Sequence, residues 1–289
     1  MEQFDAVIVG FGPAGCSAAL YLCRAGKRVA LVGKDRGALA RAEKIENYYG
    51  LPQPLPGGDL VAIGRQQCRE LGAQVFKDEV LALEWREDGL FQAQLALGGA
   101  IEAKTALLAT GKVNHIPNIE GIQAFEGRGV SYCAVCDAFL YRGRQVAVLG
   151  GGAYARHEME ELLPLAKKVT LFTHGAQPEF DPPPEVEVRT QKLLRLRGDE
   201  TLAAAELEGG RSQELQGLFV ALGSASAGDL ARKLGLRLNN NAVPVNQSQE
   251  TTLPGLFAAG DCTGTFAQVA FAVAEGAKAG LGMIGYLRK

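Results

Sequence analysis

Apolar runs punctuated by glycine-rich turns set the pattern of this chain. Residues 4–9 read Phe-Asp-Ala-Val-Ile-Val, a short β-rich run, and lead into Gly10-Phe11-Gly12-Pro13-Ala14-Gly15. An Ala/Leu-rich pattern from Ala14 to Arg24 predicts a helix, and residues 28–32 predict the next parallel strand after a short turn at Gly26. That is a βαβ unit. The pattern recurs about 140 residues later. The run Gln145-Val146-Ala147-Val148-Leu149 precedes Gly150-Gly151-Gly152-Ala153-Tyr154-Ala155, a helix reaching Leu165 and a strand over 168–172. Two strand–glycine–helix units predict an α/β chain with two nucleotide-binding folds.

Further along, Glu179-Phe180-Asp181-Pro182-Pro183-Pro184 predicts a stiff, non-helical connector, because consecutive prolines remove donors and fix the backbone. Strand-like runs follow at 187–189 and 216–222, and Phe257-Ala258-Ala259-Gly260-Asp261 is another apolar strand ending in Gly-Asp. An Ala/Gly-rich helix over 268–287 comes last.

Composition narrows the function classes. The 289 residues suffice for two domains, with 47% hydrophobic and 21% charged residues to form ordinary cores. A net charge of −2 gives no footprint for nucleic acid or anionic lipid. No run approaches the roughly 20 apolar residues of a membrane span. The start, Met1-Glu2-Gln3-Phe4-Asp5, lacks the basic region of a secretory signal, so a cytoplasmic location is expected. Many of the 37 glycines fall at strand-to-helix junctions, where a phosphate needs close backbone approach.

The chemistry concentrates in three places. In Gly10-x-Gly12-x-x-Gly15 the first glycine permits a tight turn and the second lets a pyrophosphate approach. The third lets helix and strand pack closely, which predicts dinucleotide binding. Gly260-Asp261 is a second place where a backbone amide and a carboxylate could meet a cofactor, or else a plain turn with an exposed Asp. Cys133-Ala134-Val135-Cys136 suits a redox dithiol, which needs only this spacing and a setting that favours one thiolate. A zinc site needs four ligands, yet there is no second such pair and His115, His157 and His174 are scattered. Asp137 adjoins the pair, as a proton donor and acceptor for the thiols or as a solvated turn carboxylate. Cys16, Cys23, Cys68 and Cys262 read as small buried apolar residues, and Glu70, Lys77 and 195–197 as solvated surface.

From Phe4 onward the chain resembles low-molecular-weight thioredoxin reductases. The resemblance rests on motifs in order: 10–15, Ile-Glu-Asn-Tyr-Tyr-Gly at 45–50, Ala-Thr-Gly at 109–111, and Val-Ser-Tyr-Cys-Ala-Val-Cys-Asp at 130–137. Gly-Leu-Phe-Val-Ala-Leu-Gly at 217–223 and Pro-Gly-Leu-Phe-Ala-Ala-Gly-Asp at 254–261 follow. It implies two Rossmann-like three-layer domains, the second inserted in the first: an FAD-binding domain of 1–112 plus 220–289, and 113–219 carrying the disulfide. FAD would be held by Gly10, Gly12, Pro13, Ala14, Gly15, Gly33, Lys34, Asn47, Ala109, Thr110, Gly111, Gly260, Asp261, Gln268 and Val269. Reduced flavin would pass electrons to Cys133–Cys136, with Asp137 as acid/base, and on to a thioredoxin-like or other disulfide substrate. The inserted domain would swing about hinges near 111–115 and 216–218, and the chain would form a homodimer.

The second nucleotide site, at Gly150, Gly152, Ala153 and Tyr154, departs from the resemblance. The family's His-Arg-Arg cluster, which grips a 2′-phosphate, is reduced here to His174-Gly175-Ala176-Gln177, with no arginine before Arg189. Tyr154 either blocks the nicotinamide path, stacks on another planar ring, or is an ordinary surface tyrosine. Arg36-Gly37-Ala38 and Phe266-Ala267-Gln268 replace two further family motifs. Efficient use of NADPH is therefore not expected. Two NADPH-independent branches of the family take electrons from ferredoxin or hold a second FAD in the NADPH-type site, and Tyr154 with the absent arginines favours the second. A standard NAD(P)H-dependent thioredoxin reductase, and a flavin-binding redox sensor or electron-transfer module, are the competing readings.

Overall fold

A computed structural model describes residues 3–34, 37–111 and 118–289. In chain order the strands are β1 Gln3–Val9, β2 Val29–Val32, β3 Gln74–Phe76, β4 Val80–Trp85, β5 Phe91–Leu95, β6 Ala100–Leu108, β7 Val130–Ser131 and β8 Gln145–Leu149. Then come β9 Lys168–Phe172, β10 Glu187–Arg189, β11 Leu193–Gly198, β12 Leu202–Leu207, β13 Arg211–Glu214, β14 Gly217–Val220 and β15 Leu256–Ala258. The helices are α1 Pro13–Arg24, α2 Gly57–Glu70, α3 Ala134–Asp137, α4 Ala153–Leu162, α5 Ala227–Lys233 and α6 Val269–Tyr286. Contacts divide the chain into Met1–Val113 with Ser226–Lys289, and Asn114–Ala225.

In the first unit, β3-β2-β1-β6 pair in parallel, and β15 joins the end of β6 at Leu256–Ala258. Besides β1, the nine residues of β6 serve two further partners. Its start pairs antiparallel with β5, which pairs with β4, while its end pairs with β15. Strands covered on both faces need apolar residues throughout, which is why Val7, Ile8, Leu31 and Leu107 are all fully buried. One face, through Ala6, Ile8 and Leu107, packs on Ala18, Leu22, Ala279 and Met283 of α1 and α6.

The second unit repeats the plan. Its parallel sheet runs β10-β9-β8-β14-β7, and β11-β12-β13 form a separate antiparallel sheet. Ala147, Leu149, Phe172 and Leu218 of the first pack on Leu196, Ala205 and Leu207 of the second. No helix joins β9 to β10, as the prolines predict.

Several expectations are adjusted. Gly217 opens β14, where it pairs with Val146 of β8 and Leu218 pairs with both β8 and β7, and the Gln216 N–H donates to the Gln145 carbonyl, so the expected hinge at 216–218 falls at the start of a strand inside the second unit's sheet. The contact division falls between Ala225 and Ser226, where Ser226 caps α5 in a capping box with Asp229. Beyond Gly111, the other expected hinge residues, His115 among them, lie outside the described residues. The helix after Gly152 ends at Leu162 rather than Leu165, and Asp261 opens a short 3₁₀ turn after β15.

Candidate active site

The loop after β1 shows why its glycines are required. Gly10 has φ of 109°, and a Cβ there would stand 2.2 Å from the Ala109 carbonyl oxygen. A Cβ at Gly15 would stand 1.8 Å from the Gly10 carbonyl oxygen, so α1 sits directly on the strand end. Gly12 is different: a Cβ there would meet nothing within 4 Å. It is the N-cap of α1, with Pro13 at the first helical position and no side chain capping the free amides. Open space over uncapped amides at a helix N-terminus fits an anionic phosphate.

Other expected cofactor residues gather in the same unit. Gly260, at φ of 84°, lies against Ala14, and its N–H donates to buried Glu275 at 2.8 Å. Thr263 donates to the same carboxylate at 2.9 Å, so α6 fixes the Gly260–Asp261 turn. Asn47 Nδ2 donates to Gln268 Oε1 at 3.0 Å, joining residues 221 positions apart just before Val269 opens α6. The Lys34 ammonium pairs with buried Glu79 at 2.9 Å. Thr110 Oγ1 accepts the Ala227 N–H at 2.8 Å, so it holds the start of α5. Gly33 lies against the Phe11 ring, on which the Arg65 guanidinium stacks 4.8 Å from the centroid.

In the second unit Cys133 and Cys136 form a disulfide, and no described residues converge as a metal site. Cys133 is buried and is the N-cap of α3, where its sulfur accepts the Cys136 N–H at 3.1 Å. Cys136 is exposed. Ser131 Oγ accepts the Cys133 N–H at 3.1 Å and donates to Asp137 Oδ2 at 2.7 Å. Asp137 is therefore half-buried and held, not a freely solvated turn carboxylate. Burial, with the Asp137 charge second, pushes the Tyr141 phenol above its usual range. Ser131 and Glu158, whose carboxylate accepts the Ala134 N–H, escaped the sequence reading. Only the spacing of Glu158 one helical turn after Tyr154 hinted at a shared face.

The second glycine turn contrasts with the first. Residues 177–179 cross it: the Glu179 N–H donates to the Gly151 carbonyl at 2.7 Å. A Cβ at Gly152 would stand 3.3 Å from Glu179 Oε2. A carboxylate thus lies beside the N-terminus of α4, where Ala153 begins the helix. Tyr154 is neither a surface residue nor a ring presented for stacking. It is 1% exposed, and its hydroxyl donates to the Tyr132 carbonyl at 3.2 Å. His174, at φ of 51°, accepts the Leu193 N–H on Nδ1 at 3.1 Å. Burial, then the Lys192 charge, holds its pKa below the usual value, a direction that favours the neutral ring needed to accept this bond.

The remaining cysteines divide. Cys16, Cys68 and Cys262 are buried, but Cys23 is only half-buried. Burial pushes Cys23 up to about 11 and Cys262 up to about 12, and the Cys16 hydrogen bond with burial raises Cys68. Since the thiolate is the nucleophile, reduced protein at pH 8 is expected to be alkylated first at Cys136, with Cys23, Cys68 and Cys262 slower by at least about 100-fold. Peptide mapping after timed iodoacetamide exposure reads this out. Early labelling of Cys23 or Cys262 contradicts it.

A glycine loop open to a dinucleotide and a braced disulfide beside a carboxylate define a disulfide oxidoreductase built on nucleotide-binding folds. Residues 4–276 match the family model described as pyridine nucleotide-disulphide oxidoreductase, and the chain belongs to that family. It is 33% identical to a thioredoxin reductase of Aquifex aeolicus (strain VF5), over 99% of this chain and 94% of that one. The atypical thioredoxin reductase TRi from Desulfovibrio vulgaris Hildenborough superposes with a TM-score of 0.91 at 39% identity, over 98% and 97% of the two chains. A ferredoxin-flavin thioredoxin reductase from Clostridium acetobutylicum gives 0.77 at 32% identity, over 100% and 99%. The chain is thus a thioredoxin reductase-like flavoprotein oxidoreductase of two Rossmann-like units.

Proposed function

We propose that this chain takes electrons on FAD, reduces its Cys133–Cys136 disulfide, and passes the electrons to a thioredoxin-like protein without efficient use of NADPH. The carrying observation is the disulfide turn itself: a buried sulfur, an exposed sulfur and a held carboxylate in one short helix. FAD fits the open cradle at Gly12, and when bound it supplies the two electrons that open the disulfide. Asp137 handles the accompanying proton, fixed by the Ser131 hydroxyl. The exposed Cys136 thiolate attacks the partner's disulfide, one partner sulfur leaves, and Cys133 then displaces the other to restore the Cys133–Cys136 bond. Val135, Phe139 and Leu140, all more than half exposed beside the pair, offer a thioredoxin-like protein an apolar docking face.

The second glycine turn supports a donor other than NADPH. Its approach carries the Glu179 carboxylate where a pyrophosphate would need positive partners, and His174 is already engaged by a backbone amide. The buried Tyr154 withdraws the support it lent to a second flavin, and an FAD there would meet the same Glu179 carboxylate. A ferredoxin-type one-electron carrier is the donor that this reading favours, in line with the name of the Clostridium acetobutylicum neighbour.

Stopped-flow mixing tests both parts. NADPH is expected to bleach the flavin more slowly than about 1 s⁻¹, the low end of ordinary turnover, while reduced ferredoxin bleaches it faster. Oxidised thioredoxin should then restore the flavin absorbance. Rapid, complete bleaching by micromolar NADPH overturns the donor assignment, and failure of any disulfide protein to reoxidise the flavin overturns the enzyme.

A further inference from the structure

Helix α4 follows the second glycine turn, yet two of its side chains reach the disulfide turn. Tyr154 and Glu158 lie four residues apart, one helical turn, and so share a face. The Tyr154 hydroxyl donates to the carbonyl of Tyr132, and the Glu158 carboxylate accepts the N–H of Ala134. Those two backbone groups flank Cys133 on either side. Both residues are 1% exposed, and the bond between Glu158 and Ala134 is itself buried, so water does not dilute it. Ser131 holds the N–H of Cys133 itself. The backbone around the buried sulfur is thus held at three consecutive residues, two of them by α4.

We infer that Tyr154 and Glu158 are positioning residues for the disulfide, and that the Glu158 charge sets its reduction potential. This rests on the reading of Cys133–Cys136 as a working redox pair. Reduction breaks the S–S bond with two electrons and two protons, and one of the resulting thiols then ionises to be reactive. A carboxylate anchored on the amide next to Cys133 opposes negative charge at the pair and favours the oxidised form. The same carboxylate satisfies an amide at the start of α3 that would otherwise be buried without an acceptor. The Tyr154 hydroxyl carries no charge, so it acts on geometry alone.

Equilibration of the purified flavoprotein against dithiothreitol redox buffers, with thiol exchange followed in parallel, tests the assignment. Glu158→Gln keeps an acceptor for Ala134 and removes the charge. It is expected to shift the equilibrium about 3- to 10-fold toward the dithiol, a rise of about 15–30 mV at 29.6 mV per tenfold. Tyr154→Phe is expected to slow exchange about 3-fold or more at an unchanged potential. A Glu158→Gln potential equal to that of the parent overturns the charge role, and a Tyr154→Phe protein exchanging at the parent rate overturns the positioning role. Both variants are conservative in volume, and an unchanged melting temperature certifies the comparison. If dithiothreitol cannot reduce the parent disulfide at all, the redox reading falls first and this inference with it.

Discussion

Cys133→Ser and Cys136→Ser each lose disulfide turnover by about 1,000-fold or more, yet differ in what they leave behind. Cys133→Ser keeps the exposed thiol. That thiol attacks a partner disulfide, and with no second sulfur to displace the partner, a mixed disulfide accumulates. Cys136→Ser keeps only the buried sulfur, capped by the amide of residue 136, and traps little. Both should retain the parent flavin content, since the expected flavin residues belong to the other unit. Turnover with thioredoxin, flavin absorbance and non-reducing electrophoresis measure the three quantities. Trapping by Cys136→Ser instead assigns the attack to Cys133, and full turnover by either variant removes the pair from the mechanism.

The parallel sheets were legible because local chemistry decides them. Strands buried on both faces are short and continuously apolar, and the glycines between them are forced by contacts under 3 Å such as Gly15 on the Gly10 carbonyl. So β1, β8, β9 and β10 fall within a residue of their expected bounds. The antiparallel sheets were not legible. Strands such as β13, Arg-Ser-Gln-Glu, carry no apolar alternation and are held by pairing with β12. The site divides in the same way. Cys133, Cys136 and Asp137 announce themselves by adjacency, whereas Ser131 matters through its bond to Asp137 six residues away and Glu158 through an amide 24 residues away. Tyr154 shows the converse error. Its place after a glycine turn suggested a ligand, but its burial and its hydroxyl direct it to the disulfide turn.

Gly12→Asp is expected to yield a folded protein that has lost flavin affinity by about 100-fold or more, or roughly 2.7 kcal/mol. Gly12 has φ of −74° and ψ of −172°, an extended conformation any residue adopts, and a Cβ there meets nothing within 4 Å. Aspartate is moreover favoured at an N-cap, so the protein without flavin keeps its stability or gains a few tenths of a kcal/mol. The new carboxylate takes the very amides a phosphate needs and opposes the phosphate charge at close range. Gly15→Ala separates binding from folding in the opposite sense. Its methyl would lie 1.8 Å from the Gly10 carbonyl oxygen, forcing α1 off the sheet and lowering the melting temperature together with flavin content. Flavin per chain and the melting temperature of the flavin-free protein distinguish the two. Gly12→Asp protein that retains flavin as tightly as the parent would place the phosphates somewhere other than the N-terminus of α1.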